Sequence, residues 1–217
     1  MISKRLKEIA NLVDKNKVVF DVGSDHALLP CFLVEEGISE KVYAGDIALG
    51  PLENGKATIE KYGLEGKVIS VFSDGLKMAS KDVDIVTISG MGYQTVEHIL
   101  NDSDISRYQY LIVQINKDVD LLRKYISDHG YTIEDEKVVH DDFYYEIIKF
   151  SCDLHDPYSE LEIKYGPILL ERKDEEFINY LKYKKDKLIE INKKANKQDI
   201  AETISQIEEI LKWYNYY

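Results

Sequence analysis

The sequence predicts a doubly wound α/β domain followed by an antiparallel pair of helices. Two observations carry this expectation. Five short Val- and Ile-rich runs alternate with helical patterns over the first 150 residues, and two heptad-spaced apolar stripes lie near the end. The runs are Val18 to Val22, Val42 to Asp46, Val68 to Phe72, Asp84 to Ser89 and Tyr110 to Gln114. Continuous apolar runs bounded by Gly and Asp suit strands covered on both faces. Helical patterns fill the intervals at Leu29 to Glu36, Leu52 to Tyr62, Thr95 to Leu100 and Val119 to His129. Such alternation gives a parallel sheet with right-handed crossovers.

Tyr131 to His140 and Phe143 to Phe150 are strand-like runs joined by Asp141-Asp142, and they predict an antiparallel hairpin on one sheet edge. Five parallel strands plus a terminal hairpin is the Rossmann-like arrangement of class I methyltransferases, although another doubly wound fold fits the same pattern. Asp156-Pro157 and Gly166-Pro167 then interrupt the chain. Beyond them, Phe177, Leu181, Lys184, Leu188, Ile191 and Ala195 form one stripe, and Ile200, Ile204, Ile207, Leu211 and Tyr214 a second. Asp199-x-x-Glu202 reads as the N-cap of the second helix. The expected organisation is a domain over 1–152 and a coiled-coil-like α-helical hairpin over 153–217.

The chain has 217 residues, 44% of them hydrophobic, which is enough for a core and excludes general disorder. No apolar run approaches the roughly 18–20 residues of a membrane span. The stretch from Met1 to Asp14 is charged and amphipathic, unlike a signal peptide. Two cysteines, Cys31 and Cys152, build neither a disulfide framework nor a structural metal site unaided, so the expected setting is reducing and cytoplasmic. The net charge of −12 opposes indiscriminate coating of nucleic acid. It divides unevenly: residues 1–150 hold 17 basic and 26 acidic side chains, the remainder 11 and 14. Within that remainder, residues 182–197 carry seven lysines against Asp186 and Glu190. Lys185, Lys193 and Lys194 are the candidate phosphate contacts there. A solvated helix face is the alternative, and Lys184 falls on the apolar seam, where it can snorkel.

Asp21-Val22-Gly23-Ser24-Asp25-His26-Ala27 leaves the first strand and opens a helix. Ligands of this fold sit beyond the carboxyl ends of the strands. Gly23 lets the backbone approach a ligand without a Cβ. Asp25 stands where a dinucleotide fingerprint needs its second glycine, and a carboxylate there opposes a diphosphate. It suits a cationic ligand. S-adenosyl-L-methionine carries a sulfonium and an ammonium and no phosphate, so Asp21 and Asp25 are reasonable partners for its amino-acid end. The alternative for Asp25 is a helix N-cap, and the two roles are compatible. Asp46, followed by Ile47, ends the second strand at a spacing suited to accepting from ribose hydroxyls. Its alternative is a solvated strand-end carboxylate. Ser73-Asp74-Gly75 closes the third strand, where a carboxylate can accept from an adenine amino group.

These residues resemble the signature of the bacterial TrmK-type tRNA (adenine-N1)-methyltransferases. The likeness runs from Ser3-x-Arg5-Leu6 through Asp21 to Pro30, Gly50-Pro51 and Ser73-Asp74-Gly75. It continues through Ser89-Gly90-Met91-Gly92, Gln114-x-Asn116, Tyr145-Glu146 and the C-terminal hairpin. The resemblance implies methylation of N1 of adenine 22 in the D-arm region of tRNA, with S-adenosylmethionine as methyl donor. The sequence does not give the oligomeric state, and a monomer is the favoured expectation. Two positions depart from the family pattern: Tyr93 replaces a glycine and Ile115 a proline, both where the methyl acceptor is expected to enter. Tyr93 is a candidate for stacking on a flipped base, or else a packed aromatic at a helix start.

The acceptor chemistry needs an exposed base, held at near-attack geometry, and a group that answers the positive charge of the product. Asp25 and His26 are candidates for shaping that part of the site, His26 as a base or a donor. A structural histidine is the alternative. Gln114 and Asn116 are candidates for orienting the adenine edge, or else they cap the loop after the fifth strand. The Asn/Asp-Pro-Pro-aromatic motif of amino methylation is absent, and Cys31 reads as core. Two other readings stay open from sequence. One is a non-catalytic RNA-binding or scaffold protein of the same fold, and the other a methyltransferase acting on another RNA or a small molecule.

Overall fold

The computed structural model describes residues 2–215; Met1 of the N-terminal stretch and Tyr216 and Tyr217 of the C-terminal hairpin lie outside them. A helix, α1 (Lys4–Asn11), precedes the sheet. Then follow β1 (Val19–Val22), α2 (Leu28–Glu35), β2 (Val42–Asp46), α3 (Leu49–Tyr62) and β3 (Val68–Phe72). Next come β4 (Ile85–Met91), α4 (Tyr93–Asn101), β5 (Tyr110–Ile115), α5 (Val119–Asp128), β6 (Tyr131–His140) and β7 (Tyr144–Leu154). The seven strands order as β3-β2-β1-β4-β5-β7-β6, with β7 and β6 antiparallel to the rest. The expected parallel sheet and its edge hairpin are therefore both present. Because the chain reverses at β1 between β2 and β4, the carboxyl ends of β1 and β4 border the crevice where ligands bind in such sheets.

Burial explains the strand sequences. All four residues of β1 and the first four of β4 are buried, so neither strand needs polar alternation. One face of the sheet packs Phe20, Val86, Ile88, Leu111, Val113 and Ile148, and the other Val19, Val42, Ile85, Ile112 and Ile147. Cys31 is buried among apolar neighbours, which pushes its thiol up to about 11.

The chain separates into two compact units, Met1–Ile168 and Leu169–Tyr217, a division later than the 152/153 boundary expected from sequence. The residues between belong to the first unit by hydrogen bonding. The Tyr158 hydroxyl accepts from Ile133 N–H at 2.8 Å, and the Tyr158 N–H donates to Ser127 Oγ at 3.0 Å. Helix α6 (Glu160–Tyr165) carries a complete capping box, Ser159 with Glu162. Beneath it lies a buried ion cluster: Arg123 Nε meets Glu136 and Arg123 Nη2 meets Glu146, each at 2.7 Å. Ile168 N donates to Glu136 Oε2 at 3.0 Å. Gly166 has φ +93°, and a Cβ there would lie 2.6 Å from Glu136 Oε2. Only glycine admits that turn over the cluster.

In the second unit, α8 (Glu175–Ala195) and α9 (Gln198–Asn215) form the expected hairpin; α7 (Pro167–Arg172) spans the division. Asp174 caps α8 by accepting from Phe177 N at 2.9 Å. Asp199 is not an N-cap: α9 begins one residue earlier, and Asp199 sits in its first turn, where its carbonyl accepts from Thr203 Oγ1. Asn196, left-handed at φ 46°, ends α8, and only Lys197 separates it from the start of α9. Phe177, Leu181, Ile207 and Ile210 are buried, whereas Ile191 and Ala195 near the turn are exposed. The seam is therefore dry at one end of the hairpin only.

Candidate active site

The loop after β1 folds through three left-handed residues at alternate positions: Gly23 (φ 68°), Asp25 (φ 48°) and Ala27 (φ 54°). For alanine this conformation costs roughly 1 kcal/mol. The surroundings hold it there. Ser24 N donates to Gly45 O at 2.9 Å, Ala27 N to Ser24 O at 2.9 Å, and Asp25 N to Asp46 Oδ2 at 3.3 Å. Helix α3 approaches so closely at Gly55 that a Cβ would lie 3.1 Å from Asp25 O. The residue at the N-cap of α2 is Ala27, without a side-chain cap, so the N-cap alternative for Asp25 does not hold. The Asp25 side chain is instead exposed, with Oδ2 3.5 Å from His26 Nε2.

Asp21 is the buried acid of the site, 4% exposed. Burial pushes its carboxyl up to about 6, against the opposing effect of the Thr87 and Ser24 hydroxyls; Asp46 raises it further and Arg5 lowers it. Thr87 Oγ1 donates to Asp21 Oδ1 at 2.7 Å. The Ser24 hydroxyl lies near the carboxylate, is buried, and reaches hydrogen-bond geometry with none of the described groups. Asp46 Oδ1 accepts from Ala48 N at 2.9 Å, fixing the carboxylate at the end of β2 with lone pairs to spare. Ile47 follows it, 60% exposed, and Phe72, its register neighbour's partner at the end of β3, is 57% exposed. Ser73 is buried and structural: its hydroxyl donates to Gly75 O and accepts from Met78 N. Asp74 binds Lys77 through one oxygen at 2.6 Å, and Lys77 also meets Asp102 at 2.9 Å. Gly75 is left-handed and packs against Ile99.

The end of β4 is irregular. The β4–β5 register shifts between Ser89 and Met91, with Gly90 at φ 79° in the bulge. Gln114 and Asn116 hold this bulge. Gln114 Oε1 accepts from Gly90 N at 3.1 Å and from Arg5 Nη1, while Nε2 donates to Ile115 O at 2.8 Å. Asn116 Nδ2 donates to Gly90 O at 2.8 Å, and its N–H to Met91 O at 3.0 Å. Gln114 is fully buried and its polar atoms are turned inward. The structure thus places this pair against the end of β4, whereas the alternative weighed from sequence is capping of the loop after the fifth strand. Gly92 is the N-cap of α4. Tyr93 follows, its hydroxyl donating to Glu97 Oε1 at 2.7 Å and its ring packed on the core, which ties it into the helix.

These parts enclose a cleft of about 360 Å³, lined by Arg5, Asp21, Gly23 to His26, Leu28 and Ser89 to Met91, with Leu6 and Leu29. A methyl group at Gly23 would collide with the Met91 side chain, so the absent Cβ shapes the floor. Arg5, Thr87 and Phe72 carry no role in the sequence reading. Arg5 stood inside a quoted motif, but nothing in its neighbours announces contacts 109 and 136 residues away. The lysines of the hairpin divide: Lys193 and Lys194 are exposed in the last turn of α8, whereas Lys185 is half-buried with Nζ 3.7 Å from Glu208. Among the described residues, no group of three His, Cys, Asp or Glu is placed to hold a metal, and no helix is long and apolar enough to cross a membrane.

A seven-stranded sheet of this order, with a glycine-bearing acidic crevice at the carboxyl ends of β1 and β4, defines a class I methyltransferase. Residues 2–148 match the model of a methyltransferase domain. The chain is 30% identical to the tRNA (adenine(22)-N(1))-methyltransferase of Bacillus subtilis strain 168, over 82% of this chain and 78% of that protein. It superposes on M. capricolum TrmK in complex with S-adenosyl-homocysteine with TM-score 0.81, at 31% identity, covering 99% and 98% of the two chains. The B. subtilis M1A22 tRNA methyltransferase TrmK gives TM-score 0.74 at 26% identity, over 98% and 96%. The chain belongs to the bacterial TrmK-type tRNA (adenine-N1)-methyltransferase family. The site fits the family's methyl donor: the buried Ser24 hydroxyl, the cradle at Gly23 and the carboxylates of Asp21 and Asp46 suit a cationic nucleoside and oppose a diphosphate.

Proposed function

We propose that this chain methylates N1 of adenine 22 in the D-arm region of tRNA. The carrying observation is the buried carboxylate of Asp21 at the floor of a cleft that also holds Gly23, Gly90 and Arg5. When bound, S-adenosylmethionine supplies an electrophilic methyl group on its sulfonium. Asp21 holds positive charge at the amino-acid end, with Ser24 and the Gly23 backbone beside it. Asp46 accepts from the ribose hydroxyls, Ile47 and Phe72 cover the adenine, and Asp74 accepts from its amino group through the oxygen that Lys77 leaves free. Ser89, Gly90, Met91 and Gly92 form the wall between donor and acceptor, kept open by glycine and held by Gln114 and Asn116. Positioning supplies most of the acceleration in such a site. Asp25 Oδ2 and His26 Nε2 stand at the exposed rim, where they answer the positive charge that N1 methylation leaves on the base.

The hairpin α8–α9 is the RNA-binding arm in this reading, through Lys193 and Lys194. The setting is the cytoplasm, in keeping with free thiols at Cys31 and Cys152. The test is direct. Purified protein is incubated with labelled S-adenosylmethionine and unmodified tRNA, and the product is mapped by mass spectrometry. Label at N1 of adenine 22 is expected. No label in any tRNA with an adenine at that position overturns the reading.

A further inference from the structure

The turn between β6 and β7 places an unusual surface beside the cleft. Because β7 runs antiparallel to β5, with Val113 opposite Ile148, the turn at residues 141–143 lies at the carboxyl end of β5. That is the end where Gln114 and Asn116 hold the β4 bulge. Arg5 ties the turn to the cleft directly. Its N–H donates to Asp141 Oδ2 at 3.3 Å, its guanidinium binds Gln114, and its Cζ stands 5.3 Å from the centre of the Tyr145 ring. The Tyr145 ring in turn meets Phe143 edge-on, with centroids 6.5 Å apart. Phe143 is 66% exposed. These two steps place Phe143 no more than about 12 Å from the cleft-lining guanidinium, a few base-stacking rises of about 3.4 Å.

We infer that Phe143, backed by Tyr145 and Arg5, is a stacking platform for an unpaired base of the tRNA next to the methylated adenine. The inference rests on the tRNA reading above. Three features favour a base over other occupants. An aromatic face takes any base, and it does so without hydrogen-bond readout. The flanking Asp141 and Asp142 carboxylates repel a phosphate backbone and accept from the amino edge of a base. Tyr93, the aromatic that sequence offered for stacking, is bound to Glu97 and packed on the core, which leaves the task to another ring. The acceptor must leave its stem to be methylated, and its neighbour loses a stacking partner when it does. A ring at this distance replaces that partner.

The experiment uses the full chain with unmodified tRNA and compares Phe143→Ala, Phe143→Leu and Phe143→Trp. Binding is measured by fluorescence anisotropy over a range of salt, together with KM for tRNA and calorimetric affinity for S-adenosylmethionine. Phe143→Ala and Phe143→Leu are expected to weaken tRNA binding about tenfold, equivalent to about 1.4 kcal/mol, and Phe143→Trp to stay within about twofold of the parent. The salt slope, the cofactor affinity and the melting temperature are expected to be unchanged, since the ring touches no phosphate and is mostly exposed. Unchanged tRNA affinity in Phe143→Ala overturns the platform, and so does full recovery by leucine, which supplies apolar area without a π face. A parent protein that binds no tRNA at all would instead defeat the tRNA reading itself, so the two failures are distinct.

Discussion

Thr87 donates a 2.7 Å hydrogen bond to Asp21, and the two are register partners on adjacent parallel strands. The sheet itself thus aims one oxygen of a buried carboxylate and leaves the other toward the cleft. Burial holds that carboxyl at about 6, against 3.8 for a free aspartate. With a raised value in the folded state, the folded chain binds more protons than the unfolded chain between these two values. Stability of the cofactor-free protein is therefore expected to fall as pH rises from about 4 through about 6, by about 3 kcal/mol at most. Asp21→Asn removes this contribution. It should be more stable than the parent at pH 7.5 in urea unfolding, yet bind S-adenosylmethionine at least tenfold more weakly by calorimetry. In the parent, cofactor affinity should rise between pH 5 and 7 and level above. A variant with undiminished affinity would remove Asp21 from the binding set.

Gly23→Ala combines two penalties. The backbone at φ 68° costs an alanine about 1 kcal/mol, and the new methyl pushes the Met91 side chain away from the cleft floor. A modest fall in melting temperature is expected, with a larger loss of cofactor affinity. Met91→Ala in the same chain should restore part of the stability while the backbone penalty remains. Full activity in Gly23→Ala alone would show that the floor is softer than its packing implies.

Arg123→Met removes the guanidinium that pairs with Glu136 and Glu146, and breaking a buried pair in this way typically costs about 3–5 kcal/mol. The cost should shrink at low pH, where the carboxyls protonate. The triple change Arg123→Met, Glu136→Gln, Glu146→Gln should be less harmful than the single one. Equal unfolding midpoints for the single variant and the parent would contradict the assigned burial.

Lys193→Glu with Lys194→Glu is expected to weaken tRNA binding several-fold and to lower the salt slope, with cofactor affinity constant. Lys185→Ala should do less, because Glu208 already faces that ammonium. An unchanged salt slope in the double variant would exclude the end of α8 as a phosphate contact.

Most of the sheet was legible because parallel strands buried on both faces must be continuously apolar, and β2 and β3 begin and end where the runs Val42 to Asp46 and Val68 to Phe72 do. The acidic positions were legible for a related reason: Asp46 and Asp74 interrupt an apolar pattern at or just after a strand end, and Asp21 interrupts one within β1. What could not be read was direction and distance. Gln114 looked like a ligand-facing amide, and only the fold turns it inward against Gly90 and Arg5. Asp199 satisfied a capping pattern, but Asn196 had already reversed the chain. The domain boundary drifted because Tyr158 and Gly166 are held by hydrogen bonds and an ion cluster, which leave no trace in composition.

The contacts of Arg5 also set an order of events. This residue is synthesised before its partner Asp141, which lies 136 residues behind it in the chain. At about 5–20 residues per second, the two are separated by roughly 7–27 s of translation. During that interval the nascent chain has its β1 loop but lacks the tether that closes the wall of the cleft. A growing chain therefore gains this link between the cleft and the β6–β7 turn only once the last strands of its sheet exist.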